Sequence, residues 1–314
     1  MSHNYHIAGT EFFGYSTDRR FMYSFYEFMN TVQRVCALDN NASVLNMRGY
    51  VAHFCYRKLK EFDTLYKVVV EHKDFVSANC ILRMLGDSVA VFNLVYMEPN
   101  EELRWLRHAL YVIDGCEQNL KVLPDDDSCR DSMPDAEYIE FKKGILLNIE
   151  LRERLKAESQ QILDDSPLSA KDKEAFDKIV KDRNWKFKTF KHYKHISDNR
   201  YSWAEMYEKI GPEEECKSLS FLSQYVHGLS MSNLVMEMNQ VNHDAILAEA
   251  LALIKNLNNC LMNGFYSEIR YIMEGFYVPK MRDLILACYD DVHRPTIEQW
   301  NEKVCCSIDR LFEK

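Results

Sequence analysis

Chain-breaking residues are scarce: 10 glycines and 7 prolines in 314 residues. A sandwich or barrel turns every 8–12 residues or so and needs many more, so the shortage excludes a many-turned β protein and favours long helices. No pair of the ten cysteines has Cys-x-x-Cys spacing, and several, among them Cys55, Cys80, Cys116 and Cys260, fall in apolar helical patterns where cysteine acts as a small hydrophobe. A disulfide framework is not expected, and a reducing cytoplasm is the expected compartment. The opening residues, MSHNYHIAGTEFF, lack the basic start and apolar core of a signal peptide. No unbroken apolar run reaches about 18 residues, so no membrane span and no membrane partner are expected.

Catalytic signatures are equally thin. There is no Walker loop, no Gly-rich dinucleotide fingerprint, no Gly-x-Ser-x-Gly elbow and no His-Glu-x-x-His. Bundle di-iron sites need Glu-x-x-His on two helices, and no histidine here has Glu three residues before it. His192 and His195 share a spacing without acids or thiols beside them. No metal and no cofactor are expected. The net charge of −9 argues against general nucleic-acid affinity.

What is present is helical periodicity. The spacing predicts a single all-α bundle of long antiparallel helices over residues 17–314 behind an irregular arm at 1–16, without significant sheet. Thr17 or Asp18 opens a helix to about Leu38. Ser43 opens a second to about Glu71, and Asp74 a third that closes at Glu98-Pro99-Asn100. Helices follow over about 101–123 and from Pro134 to about Leu163, separated by an acidic loop at 124–137. A helix capped at Ser169 reaches about Asn184. A basic-aromatic insert at 185–199 has neither period and reads as irregular. Short helices from Ser202 and Glu213 lead to long ones over about 231–262 and 264–290 and a last one at 297–312.

Three constellations carry chemistry. The third helix is apolar nearly all round, with Phe75, Ile81, Leu82, Leu85, Val89 and Phe92, yet Asn79, Arg83 and Asp87 recur every four residues on one face. Sunken charges need partners. Arg83 held by Asp87 would make an anion clamp; the alternative is a structural ion pair that ties helices together. The second constellation is LSFLSQYVH, residues 219–227, where Ser223 and His227 share a helix face and Tyr225 lies between them. A histidine beside a hydroxyl can act as general acid or base, or simply fill a core. In the third, Lys186, Lys188, Lys191 and Lys194 interleave with Trp185, Phe187, Phe190 and Tyr193. Residues 178–195 carry a balance of +6, leaving −15 for the rest. Such a stretch can stack on bases and meet phosphates, or anchor its aromatics on the bundle and point its lysines outward.

Arg83 and Asp87 on a core helix, followed by Leu222, Ser223, Val226 and His227, resemble a bacterial family of all-helical proteins of unsettled activity. Family members usually carry Glu where this chain has Asp87, and often Pro where it has Gly228. The resemblance covers roughly residues 74–230, with a long insert between the motifs. It implies that Arg83, Asp87 and His227 meet in one internal polar site. A second likeness is to helical ribonucleases of bacterial defence systems, whose Arg-x(4–6)-His spacing Arg48 and His53 match, with Gly49 replacing the polar residue usual after the arginine.

Two functions are therefore expected. One is a soluble interaction or structural protein with an internal polar site. The other is a metal-independent enzyme acting on RNA or another phosphate-bearing ligand, with Arg83 holding the anion, His227 moving the proton and Asn79, Ser223 and Tyr225 in support. A homo-oligomer is compatible with either.

Overall fold

The computed structural model describes residues 16–39, 41, 43–124, 130–210, 219, 221–226 and 238–264, together with positions 286, 296 and 299. The fold is all-α. In chain order the helices are α1 (Thr17–Leu38), α2 (Met47–Lys67), α3 (Phe75–Tyr96), α4 (Glu101–Val122), α5 (Asp135–Asp164), α6 (Leu168–Lys171), α7 (Lys173–Lys181), α8 (Trp203–Glu208), α9 (Ser223–Val226) and α10 (Gln240–Gly264). Among the described residues the only extended pairing is an isolated antiparallel bridge between Phe187 and Arg200.

Helix boundaries follow local chemistry. α2 ends in a π turn over Val68–His72, and Lys73 closes it at φ 53°, its N–H reaching the Val68 carbonyl. Asp74 Oδ1 then accepts from Ser77 N at 3.1 Å, so the acid caps α3. Asn100 caps α4 by accepting from Leu103 N at 3.0 Å. The helix expected from Ser169 to Asn184 is instead two. The backbone at Asp172 swings to φ −155°, and its carboxylate caps α7 by accepting from Ala175 N. At α8, Ser202 and Glu205 form a reciprocal capping box. The helices expected over 264–290 and 297–312 lie outside the described residues, as does most of the chain between 211 and 237.

The chain divides into two compact units, the division falling inside α2 and inside α3. The first comprises residues 1–38, 55–86 and 213–314; the second comprises 39–54 and 87–212. In the first, α1 lies along α10. Phe21 stacks on Tyr66 at 5.3 Å and Phe28 meets Phe62 edge-on at 6.3 Å, and all three phenylalanines are fully buried. In the second, α4 lies along α5, with Val44, Val112 and Cys116 buried against Tyr50, Leu155 and Ile162.

α3 and α10 are long and apolar enough to cross a membrane by length and composition, although 50% and 56% of their most apolar windows are buried inside the protein. Such burial is what a core helix shows.

Candidate functional site

In the first unit, Arg83 is half-buried, and its Nη1 donates to the Leu219 carbonyl at 2.9 Å. Leu219 itself packs over Gly86, where a Cβ would lie 2.4 Å from its Cδ2. A side chain at position 86 would displace the end of Leu219, and glycine there lets the 219 segment lie close to α3, its carbonyl within reach of the guanidinium. Asn79, 3% exposed, donates to the Phe75 carbonyl one turn back at 2.8 Å. Tyr225 lies edge-on to Phe75 at 5.4 Å and to Phe221 at 6.2 Å, and burial raises its phenol pKa. Ser223, at the start of α9, is half-buried. His227 lies outside the described residues. The segment 219–226 thus meets α3 through a carbonyl and through rings.

The same unit holds a group that periodicity did not single out. Asp18, in the first turn of α1, and His243 and Asp244, at the start of α10, bring ligand-type atoms within 4.8 Å of one another. His243 Nε2 lies 3.3 Å from Asp18 Oδ1, and Nδ1 lies 3.1 Å from Asp244 Oδ1. The carboxylates occupy different ring nitrogens. That is the geometry of a bridge tying two helix starts, with Asp18 in the first turn of α1, where the helix dipole favours an acid. The hydrogen bond from His243 holds Asp244 below the usual carboxylate range.

In the second unit, Asp87 accepts a short hydrogen bond from the Tyr207 hydroxyl on α8. Tyr207 is 1% exposed and stacks on Trp203 at 6.1 Å. Lys186 sits between two indoles, its Nζ 4.7 Å from the Trp203 ring and 5.3 Å from the Trp185 ring. Burial and the nearby Arg200 lower its pKa, against the pull of Asp114 and Asp87. Cation–π contact supplies part of what water would otherwise give this ammonium. Lys188 pairs with Glu205, which together with the Ser202 bonds holds that carboxyl down at about 2.

The insert over 185–199 is ordered by amide side chains. Asn199 Oδ1 accepts from the backbone N–H groups of Lys188 and Thr189, both at 2.8 Å, and its Nδ2 donates to the Thr189 carbonyl at 2.8 Å. Asn184 Nδ2 donates to Tyr193 Oη at 3.1 Å and to the Asn199 carbonyl at 3.0 Å. All four aromatics of the insert face inward: Trp185, Phe187, Phe190 and Tyr193 are at most 9% exposed. Their faces are used by the protein. Lys191 and Lys194 are exposed.

Two buried cation-capable groups on α4 escaped sequence reasoning. Arg107, 3% exposed, donates through Nη1 to the Trp185 carbonyl at 3.0 Å, covers the Phe187 ring at 3.9 Å, and has Nε 3.5 Å from Glu98 Oε2. His108, fully buried, has Nε2 3.0 Å from the Val44 carbonyl and Nδ1 3.2 Å from the Tyr96 hydroxyl. A carbonyl only accepts, so Nε2 carries the proton and Tyr96 donates to Nδ1. Tyr50 is in turn hydrogen-bonded to Tyr96. Burial pushes the imidazole pKa down to about 4, which keeps it neutral. A signal existed in sequence for one of them: Arg107 stands four residues after Leu103 and three before Leu110, at core-facing spacing.

No family model, no curated protein and no solved structure matches this chain.

Proposed function

We propose that this chain is a helical interaction protein whose inward polar groups act as internal struts. One observation carries the reading. The described polar groups that the sequence singled out on α3 and at the start of the insert each engage a protein group: Arg83 the Leu219 carbonyl, Asn79 the Phe75 carbonyl, Asp87 the Tyr207 hydroxyl and Lys186 a pair of indoles. Meanwhile α5 leaves Ile139, Leu146 and Leu147 more than half exposed. Polar groups paired inside and apolar groups left outside are the pattern of a scaffold that presents a face. A bacterial, cytoplasmic setting belongs to this reading. Cys36, Cys55, Cys80, Cys116 and Cys260 form no disulfide, which supports it, and so does the likeness to the bacterial all-helical family.

The second reading is a metal-independent enzyme on RNA or another phosphate-bearing substrate, of the defence-ribonuclease kind. It draws on the exposed Lys191 and Lys194. The buried aromatics beside them offer no free face for base stacking. Purified wild type, Arg83→Met and Asp87→Asn incubated with a panel of RNAs separate the two. The interaction reading expects no cleavage by wild type and lowered melting temperatures in both variants. Cleavage by wild type that Arg83→Met abolishes at an unchanged melting temperature overturns it.

A further inference from the structure

α5 is a 30-residue helix with only Ile145, Ser159 and Leu163 buried along its length. On its outer side Ile139, Leu146 and Leu147 are 62%, 51% and 57% exposed, and they line a shallow groove whose charged residues are Lys142, Lys143 and Glu150. At 100° per residue, positions 139, 143, 146, 147 and 150 fall on one face. An exposed apolar face of this length, rimmed by charge, marks an interaction surface.

The order of charges along that face says what fits it. Reading from its N-terminal end, the seam runs Ile139, Lys143, Leu146, Leu147, Glu150, with Lys142 beside Lys143 on the groove's edge: the cations lie before the leucine pair and the anion after it. Lys143 and Glu150 stand equally far, three residues, from the two leucines at its centre. A parallel copy would set Lys143 on Lys143 and Glu150 on Glu150. An antiparallel copy turned about the leucine pair sets each Lys143 opposite the other copy's Glu150, twice over, with leucine against leucine between them. One surface that complements itself under a two-fold rotation is what an isologous dimer requires. Within its own chain Lys143 lies 3.9 Å from Glu140, both largely exposed. Such a pair is worth little and is easily exchanged.

We infer that the outer face of α5 pairs antiparallel with the same face of a second copy of this chain, with Leu146 and Leu147 on the two-fold axis and Lys143 bridging Glu150 across it. This deepens the interaction reading by naming the partner and rests on it. One pair of helices over about three turns buries less than the roughly 1,200 Å² of a standard interface, so the dimer is a weak one, with dissociation in the micromolar range.

The test is sedimentation velocity of the full chain from about 5 to 200 μM, with melting temperatures followed in parallel. Wild type moves from monomer to dimer across that range. Lys143→Glu and Glu150→Lys each stay monomeric at 200 μM, because each sets like charges across the axis. Mixing these two variants restores a dimer: one copy then carries an acid at both positions and the other a lysine at both, so every pair across the axis is again opposite in sign. The double variant Lys143→Glu/Glu150→Lys dimerises like wild type. Both positions are exposed, so all variants keep the wild-type melting temperature. A wild type that is monomeric throughout overturns the inference, and so does a mixture that fails to associate. Neither result touches the interaction reading itself, which stands or falls on the RNA assay.

Discussion

His108 makes unit-specific stability depend on pH, and the size follows from its surroundings. The imidazole is sealed in the second unit, donating to the Val44 carbonyl and accepting from Tyr96, with Tyr50 edge-on at 4.8 Å. Its pKa is about 4 in the fold, against 6.5 for an ordinary histidine. Between those values the unfolded chain binds the proton and the folded chain does not. Stability is therefore full above pH 6.5 and lost as pH falls toward 4. A shift of this size corresponds to about 3 kcal/mol at the acid limit and about 2 kcal/mol between pH 8 and pH 5. His108→Gln keeps a donor for Val44 and an acceptor for Tyr96 without titrating. The variant loses about 1–2 kcal/mol at pH 8, but the gap to wild type closes at pH 5. Amide exchange of α4 peptides at the two pH values measures both effects. Nitrogen-15 shifts of the ring report the Nε2–H tautomer directly. An imidazole that titrates near 6.5, or a wild-type-to-variant gap that does not change with pH, refutes the reasoning.

Glu27 on α1 runs the other way: burial lifts its carboxyl to about 7 against Tyr23 and Lys255. Here the folded state holds the proton longer, so stability of the first unit falls as pH climbs from 4.5 to 7. The side chain keeps partial solvent contact, which reduces the effect to about 1 kcal/mol; Glu27→Gln abolishes it in exchange measured on α1 peptides. Gly49→Ala sets a Cβ 2.0 Å from the Asn41 carbonyl oxygen. Backbone cannot step aside as a side chain can, so the variant loses about 3 kcal/mol in urea denaturation. Asn199→Ala removes the side-chain acceptor of the Lys188 and Thr189 N–H groups, leaving Lys188 only the Asn199 carbonyl at 3.2 Å, and costs about 1–2 kcal/mol, with fast exchange confined to the insert. Glu205, held at about 2 by Lys188 and Ser202, keeps the insert anchored to α8 above pH 4.5. That anchoring is lost as pH falls toward 2, and the exchange of residues 186–189 reports it.

The helices were legible because their signals are local. Thr17, Asp74, Asn100 and Pro134 stand beside the starts of α1, α3, α4 and α5, and apolar spacing of 3.6 carries each helix from there. The break at Asp172 was not legible, because Ser169 and Asp172 are both competent caps. Asp172 takes the cap of α7, and Leu168 and Phe176 are buried on either side of the break. The fate of the insert was a matter of sign rather than of pattern. Alternating Lys and aromatic residues are equally compatible with an outward base-stacking ribbon and an inward anchor. What decides is Asn184 and Asn199, two plain amides that close the loop on itself and so commit the rings inward.

The polar groups of α3 show where sequence stops. That Arg83 and Asp87 need partners follows from the cost of sinking charge among apolar residues. Which partners they take does not. Arg83 takes a backbone carbonyl, at Leu219, a group every residue carries and no motif announces. Asp87 takes a tyrosine 120 residues away, one of 18 in the chain. Motif reading looks for a complementary side chain of rare type, so a carbonyl and a phenol go unannounced; His227, the partner it named, lies outside the described residues. Among the described residues Arg83 meets a carbonyl and Asp87 a phenol, and each contact ties α3 to a distant segment of the chain. On the proposed interaction reading these contacts are struts, so Arg83→Met is expected to lower the melting temperature.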